Sequence, residues 1–162
     1  DCKYGYETKG SLMRVSLLRS PVDPDPKADE GEHRFTYAIY PHAWTWRNGT
    51  VQEGFELNSP LLAFAVPAAK GVLPSCGAFA SVDADHVVID AVKRCEDSNA
   101  LIVRVYEAYG QRGPVALTFG RMPKRATECD LMEENDRPVK LKGATIRFDV
   151  TPFEIRSFKV AF

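Results

Sequence analysis

From Ala78 to the end of the chain, strand-like runs recur about every ten residues: FASV, HVVIDAV, ALIVRVYEAY, VALTF, ATECDLM, ATIRFDV and PFEIRSFKVAF. The connections between them are too short for crossover helices, so the pairing must be antiparallel. Such a series, broken by polar turns, specifies a β-sandwich. Its most coherent piece is Val87 to Gly110, VVIDAVKRCEDSNALIVRVYEAYG. Val87, Val88, Ile89 and Val92 give the first arm its β-branched character, and Leu101 to Tyr106 resume it. Glu96, Asp97, Ser98 and Asn99 supply turn chemistry between the arms, so a hairpin is predicted. In the second arm Leu101, Val103 and Val105 share one face. Ile102, Arg104 and Tyr106 share the other, where the arginine must reach water or a partner.

The N-terminal part is less regular. The chain opens on Asp1 rather than Met, as a piece of a longer protein would. Asp1 to Gly10 is polar, and a short apolar strand is predicted over Met13 to Leu18, closed by Pro21. SPVDPDPKADEGE, Ser20 to Glu32, reads as a long surface loop of prolines and acidic residues. His33 to Tyr40 alternates Phe35, Tyr37 and Ile39 with Arg34, Thr36 and Ala38, the pattern of a strand. Thr50 to Leu57 admits a helix, against which Gly54 and β-prone flanks count. The Pro, Gly and Ala-rich stretch Val66 to Gly77 marks a composition change, and a domain junction is placed near Gly71.

Composition narrows the function classes. With 21 basic against 22 acidic residues the formal charge is −1, so no global field draws in nucleic acid or an anionic membrane. No apolar run approaches the ~20 residues that cross a bilayer as a helix. Cys2, Cys76, Cys95 and Cys129 are widely spaced with no C-x-x-C pair, and are expected to remain thiols in a reducing compartment. Asn48-Gly49-Thr50 matches a glycosylation sequon and is read here as a turn.

Candidate chemistry is sparse. Glycoside hydrolysis needs two carboxyl groups flanking the scissile bond. Asp83 with Asp85, Glu96 with Asp97, and Glu133, Glu134 and Asp136 all sit in turn-like settings, where a solvated face or a turn cap is the expected role. Asp90 and Glu107 lie within strands, and alternation places both outward. His33, His42 and His86 lack metal-site spacing, and no nucleophile motif is present. Trp44 and Trp46, with Tyr37 and Tyr40, suit either a sugar-stacking platform or core packing, the latter being the commoner use.

Five blocks in order, DCKYGYETKG, SLLRSP, HRFTYAIYPH, the Val87–Gly110 hairpin and PFEIRSFKVAF, resemble the C-terminal β-domains of family 38 glycoside hydrolases, the α-mannosidases, in their cytosolic or bacterial branch. The resemblance covers nearly the whole chain. It implies an all-β fold, in which residues 1–71 form the closing strands of a larger β-sandwich and residues 72–162 a small antiparallel β-sandwich. It implies a retaining, zinc-dependent parent enzyme in the cytoplasm that acts on mannose-containing oligosaccharides. The catalytic N-terminal domain would lie outside this chain and be its partner, beside an oligomer interface. No catalytic residue or metal ligand falls on this chain in that reading. Arg19, in SLLRSP, corresponds to an arginine that reaches the sugar site, and Lys3 and Tyr4 are candidates for the same rim. A free-standing carbohydrate-binding module and a protein-interaction module are the alternatives.

Overall fold

A computed structural model describes residues 5–68 and 70–162. The chain divides into two compact units, Asp1–Ala63 and Phe64–Phe162. In the first, β1 (Tyr6–Lys9) and β2 (Leu12–Val15) form a hairpin in which Lys9 pairs with Leu12. The reversal needs a left-handed residue, which Gly10 supplies at φ 58°. The predicted Met13–Leu18 strand is thus shorter and starts earlier, and its partner comes from the polar opening block.

The helix is real: α1 spans Thr50–Asn58. Gly49 at φ 86° starts it, Glu53 complements the positive end of its dipole, and Gln52 donates to Glu56 one turn on. Gly54 is tolerated because Asn58 Nδ2 returns a hydrogen bond to its carbonyl. His33–Tyr40, however, forms no strand. No described residue of this unit is buried. Trp44 is 88% exposed and Trp46 45%, which overturns the core-packing expectation for the tryptophans within the unit.

The second unit is the expected antiparallel sandwich, with nine strands rather than seven. They are β3 (Ala80–Val82), β4 (Val87–Arg94), β5 (Leu101–Glu107), β6 (Gly113–Phe119), β7 (Arg125–Cys129), β8 (Arg137–Pro138), β9 (Leu141–Lys142), β10 (Thr145–Val150) and β11 (Ile155–Ala161). One sheet has the order β3-β6-β10-β9, the other β4-β5-β11-β7-β8. The predicted hairpin is β4–β5, running from Val87 opposite Glu107 to Arg94 opposite Leu101, with a bulge at Asp90. That bulge, with Lys93 and Arg94, blunts the open edge of the larger sheet. β11 lies between β5 and β7, pairing Phe158 with both Val103 and Glu128. The ATECDLM run stops at Cys129, because Asp130 turns the chain into a loop.

Alternation decides what fills the core. Val87, Val103, Val105, Phe158, Val160 and Ala126 of the larger sheet meet Val115, Leu117, Phe119, Ile146 and Val150 of the smaller one. Phe79, Phe119 and Phe162 close one end edge to face, with centroids 5.5–6.4 Å apart. The opposite face of the larger sheet buries Ile102 completely, together with Cys95 and Cys129. Arg104 on that face finds its partners in the Ser157 hydroxyl and the Leu131 carbonyl.

Candidate functional site

The site expected from the sequence lies in the first unit. Arg19 is exposed and ends the segment after β2. The next residue, Ser20, is held at φ 51° and donates its backbone N–H to the Asp29 carboxylate at 3.1 Å. That bond ties the chain just past Arg19 back to the acidic loop. His33 Nε2 bonds to the Asp29 carbonyl at 2.8 Å, so one acidic turn organises both the end of SLLRSP and the start of the 33–40 segment. Lys3 and Tyr4 lie outside the described residues. Beside this turn runs a groove of about 710 Å³, with Tyr6, Met13, Leu18, Phe35, Tyr37 and Ile39 among its walls. The Arg14–Glu7 pair, 3.0 Å apart and solvent-exposed, edges it. Arg19 itself is not among the groove residues.

Two carboxylates of the second unit are buried and engaged. Glu107 corrects the outward placement: it is fully buried. Tyr109 N–H donates to its Oε1 at 2.8 Å, while Gly110 and Phe153 N–H donate to Oε2 at 2.7 and 2.8 Å. Desolvation pushes its carboxyl up, but these amides, with that of Gln111, outweigh it and hold the group below the usual carboxylate range. Glu107 therefore fastens the β5–β6 turn to the β10–β11 turn. In the latter, Phe153 takes φ 59°, a conformation costly for an aromatic residue, and projects 63% exposed.

Glu133 corrects the second expectation, of a solvated turn. It is 4% exposed and sits in a left-handed backbone at φ 65°. The Lys93 ammonium at 2.7 Å, followed by the Glu96 N–H at 2.9 Å, offsets desolvation and holds its pKa at about 2. Lys159 donates to the Glu133 carbonyl at 2.9 Å and pairs with Asp136 at 3.0 Å. Asp130 receives Met132 and Glu134 N–H on one oxygen and Asn135 Nδ2 on the other. The 130–136 loop is thereby stapled over the outer face of the larger sheet, above Cys95 and Cys129.

An acidic recess of about 540 Å³ follows from this loop, lined by Glu128, Asp130 and Asp136 with Arg137. Its carboxylates are already engaged: Glu128 with Arg156, Asp130 with its own turn, Asp136 with Lys159. None is poised as a proton donor facing an ionised partner across a sugar-sized gap. Among the described residues no three His, Cys, Asp or Glu side chains are gathered to hold a metal ion, and no helix is long and apolar enough to cross a membrane. Glu107 escaped the alternation argument, and Glu133 the expectation of a solvated turn, because both serve turns in which hydrogen-bond donors of the protein rather than water solvate the carboxylate. A glutamate ending a strand just before Ala-Tyr-Gly was the available signal for the first.

Comparison with known proteins agrees with this architecture. Residues 86–158 match the family described as the glycosyl hydrolases family 38 C-terminal beta sandwich domain. The chain is 35% identical to alpha-mannosidase G of Dictyostelium discoideum, over 98% of its own length and 15% of that protein. It is 37% identical to alpha-mannosidase 2C1 of Homo sapiens over 97% and 16%. With the alpha-mannosidase of Saccharomyces cerevisiae it shares 34% identity over 100% and 17%. The chain thus spans about a sixth of the length of these relatives. Residues 86–158 thus carry the C-terminal beta sandwich of the family 38 glycosyl hydrolases, and nearly the whole chain is similar to proteins named alpha-mannosidases.

Proposed function

We propose that the chain is the C-terminal β-region of a retaining, zinc-dependent α-mannosidase that removes α-linked mannose from oligosaccharides in the cytoplasm, with the catalytic machinery on another part of the polypeptide. The observation that carries this reading is near-complete alignment with proteins named alpha-mannosidases, of which the chain represents 15–17%. The described residues gather no His, Cys, Asp or Glu set that would fit zinc, which this reading assigns to another part of the polypeptide. The chain's own share is scaffolding. In the first unit Phe35, Tyr37 and Ile39 expose 46%, 70% and 78% of their surface along a segment with no strand partner, which suits completion by neighbouring strands of a larger sandwich. That supports 1–71 as the closing portion of such a sandwich and 72–162 as a separate small one, with the catalytic domain as partner.

Arg19 is the candidate contact with substrate. A guanidinium holds sugar hydroxyls, or orients a carboxylate, through its fork of donors. Lys3 and Tyr4 would line the same rim. The test is Arg19→Ala in the full-length enzyme, assayed on mannosides with and without a zinc chelator. Zinc-dependent mannosidase activity supports the assignment of the parent enzyme, and its absence refutes it. A fall of about 10-fold in kcat/KM in the variant, near 1.4 kcal/mol of transition-state binding, supports the arginine's role. Unchanged kinetics would remove Arg19 from the site.

A second reading is favoured by one observation, the 88% exposure of Trp44 at φ 73°. An aromatic face held out in this way suits stacking on a pyranose, as in a carbohydrate-binding module. Loss of mannoside binding to the isolated chain in Trp44→Ala would support that reading.

A further inference from the structure

Positive charge is gathered at one end of the second unit. At this end β6 passes to β7 through Gly120–Lys124, and the chain from Pro138 to Thr145 runs alongside through β8, β9 and the start of β10. The adjacency is fixed by backbone bonds. Val139 N–H reaches the Ala126 carbonyl, Phe119 N–H the Ala144 carbonyl, and Lys142 pairs with Thr145. The two stretches carry Arg121, Lys124, Arg125, Lys140 and Lys142, all exposed, and contain no Asp or Glu. Arg121 lies over the Phe162 ring and Lys124 donates to the Phe162 main-chain oxygen, neither of which is a side-chain carboxylate. Arg125, Lys140 and Lys142 have no ion-pair partner among the described residues.

The register sharpens the point. Thr127 pairs with Pro138, and Val139 N–H reaches the Ala126 carbonyl, so Lys140 leaves β8 one residue beyond the point where the chain lies against Ala126, next to Arg125. Like charges on neighbouring stretches of chain repel. Elsewhere in this sheet the chain solves such problems by pairing, as Arg156 does with Glu128 and Lys159 with Asp136. Here five cations sit on neighbouring stretches of chain with no side-chain carboxylate among those stretches. At the tip of the β6–β7 turn, between Arg121 and Lys124, Met122 stands 65% exposed.

We propose that this end is a docking surface for a short acidic peptide segment bearing an apolar side chain between its carboxylates. The carboxylates would answer the five cations, and the apolar side chain would lie on Met122, a flexible residue that adapts to varied partners. The formal charge of the whole chain is −1, so the surface beyond these five cations is net acidic. A long polyanion such as nucleic acid, or an extended anionic membrane, would meet repulsion past this end, whereas a short peptide would not.

The test uses the full chain and a short labelled peptide of glutamates flanking a leucine pair, with binding followed by fluorescence anisotropy. Binding is expected at about 50 mM NaCl and is expected to weaken strongly by about 300 mM as screening shortens the reach of each charge. Arg125→Gln with Lys140→Gln should weaken it by about 10-fold or more, and Met122→Ser by a smaller factor. Arg112→Gln, an exposed cation in the β5–β6 turn at the other end of β6, should bind as the parent does. No peptide binding, or equal binding by the double variant, overturns the proposal. Tighter binding of a single-stranded oligonucleotide or of phosphatidylserine vesicles than of the peptide overturns the assigned partner class. Stability gives a separate check: Lys140→Gln relieves repulsion and should hold or raise the melting temperature. A fall of several degrees would mean the cations serve folding, and would also overturn the proposal.

Discussion

Replacing Glu107 by Gln is the sharpest perturbation of the second unit. The side chain keeps its size but loses its charge, and one oxygen becomes an amide donor. In the native structure the two oxygens receive N–H groups from Tyr109, Gly110 and Phe153 at 2.7–2.8 Å. Glutamine can retain one oxygen toward Tyr109, but its –NH₂ then confronts the Gly110 and Phe153 donors. Two hydrogen bonds to a charged acceptor, worth ~1.5–3 kcal/mol each, are lost, and buried donors are left unpaired; about 3–5 kcal/mol is expected. In urea unfolding followed by circular dichroism, with a slope of about 1–3 kcal/mol per M, the midpoint should fall by roughly 2 M. The pH dependence supplies a signature. The folded pKa is depressed below the ordinary 4.5, so the carboxylate's contribution is complete above that pH and is lost as pH falls through the folded value. The gap between wild type and variant should therefore narrow in acid. A midpoint shift below about 0.5 M at neutral pH, or a gap that widens in acid, would refute the reasoning.

Three further outcomes are expected. Gly120→Ala drives a Cβ into the Ala78 carbonyl oxygen, a backbone atom with little room to yield, and should cost about 1–3 kcal/mol by thermal unfolding; an unchanged midpoint would contradict the close approach. Phe158→Ala empties the centre of the core at a residue with no exposed surface and should cost about 3–5 kcal/mol in the same assay. Glu133→Gln removes the Lys93 ion pair and should speed hydrogen exchange at the Glu96 amide, which Glu133 Oε2 receives. In the wild type that protection is complete above pH 4.5 and is lost as pH falls through about 2; protection that does not decline between pH 4.5 and pH 1 would refute the assignment.

The sandwich was legible because alternation and turn chemistry agree along it. The β4–β5 hairpin, its turn and the apolar face of Val103 and Val105 all read directly from composition. What alternation missed were residues whose neighbours come from elsewhere in the chain. Ile102 lies on the face marked by Arg104, yet it is buried because the 130–136 loop folds over it. Glu107 and Glu133 looked like solvated acids because sequence does not show which backbone amides will converge on them. Phe35, Tyr37 and Ile39 alternate as a strand would, but alternation specifies a face and not a partner. For the candidate site, Arg19 came from the resemblance alone. The structure adds the Ser20–Asp29 bond that positions the chain beside it.

The place of β11 sets an order on how the second unit can assemble. Among the described residues it is the last strand in sequence, yet it fills the middle of the larger sheet, between β5 and β7. During synthesis β4–β5 and β3–β6 have emerged long before it, but the larger sheet stays split into a β4–β5 pair and a β7–β8 pair until Ile155–Ala161 has cleared the ribosome. A nascent chain stalled or clipped before Phe158 would expose Val103, Val105 and Ala126 with nothing between them. Closure of the larger sheet is thus an event that follows translation of β11, and a cut within β11 would be far more damaging than one in a peripheral strand.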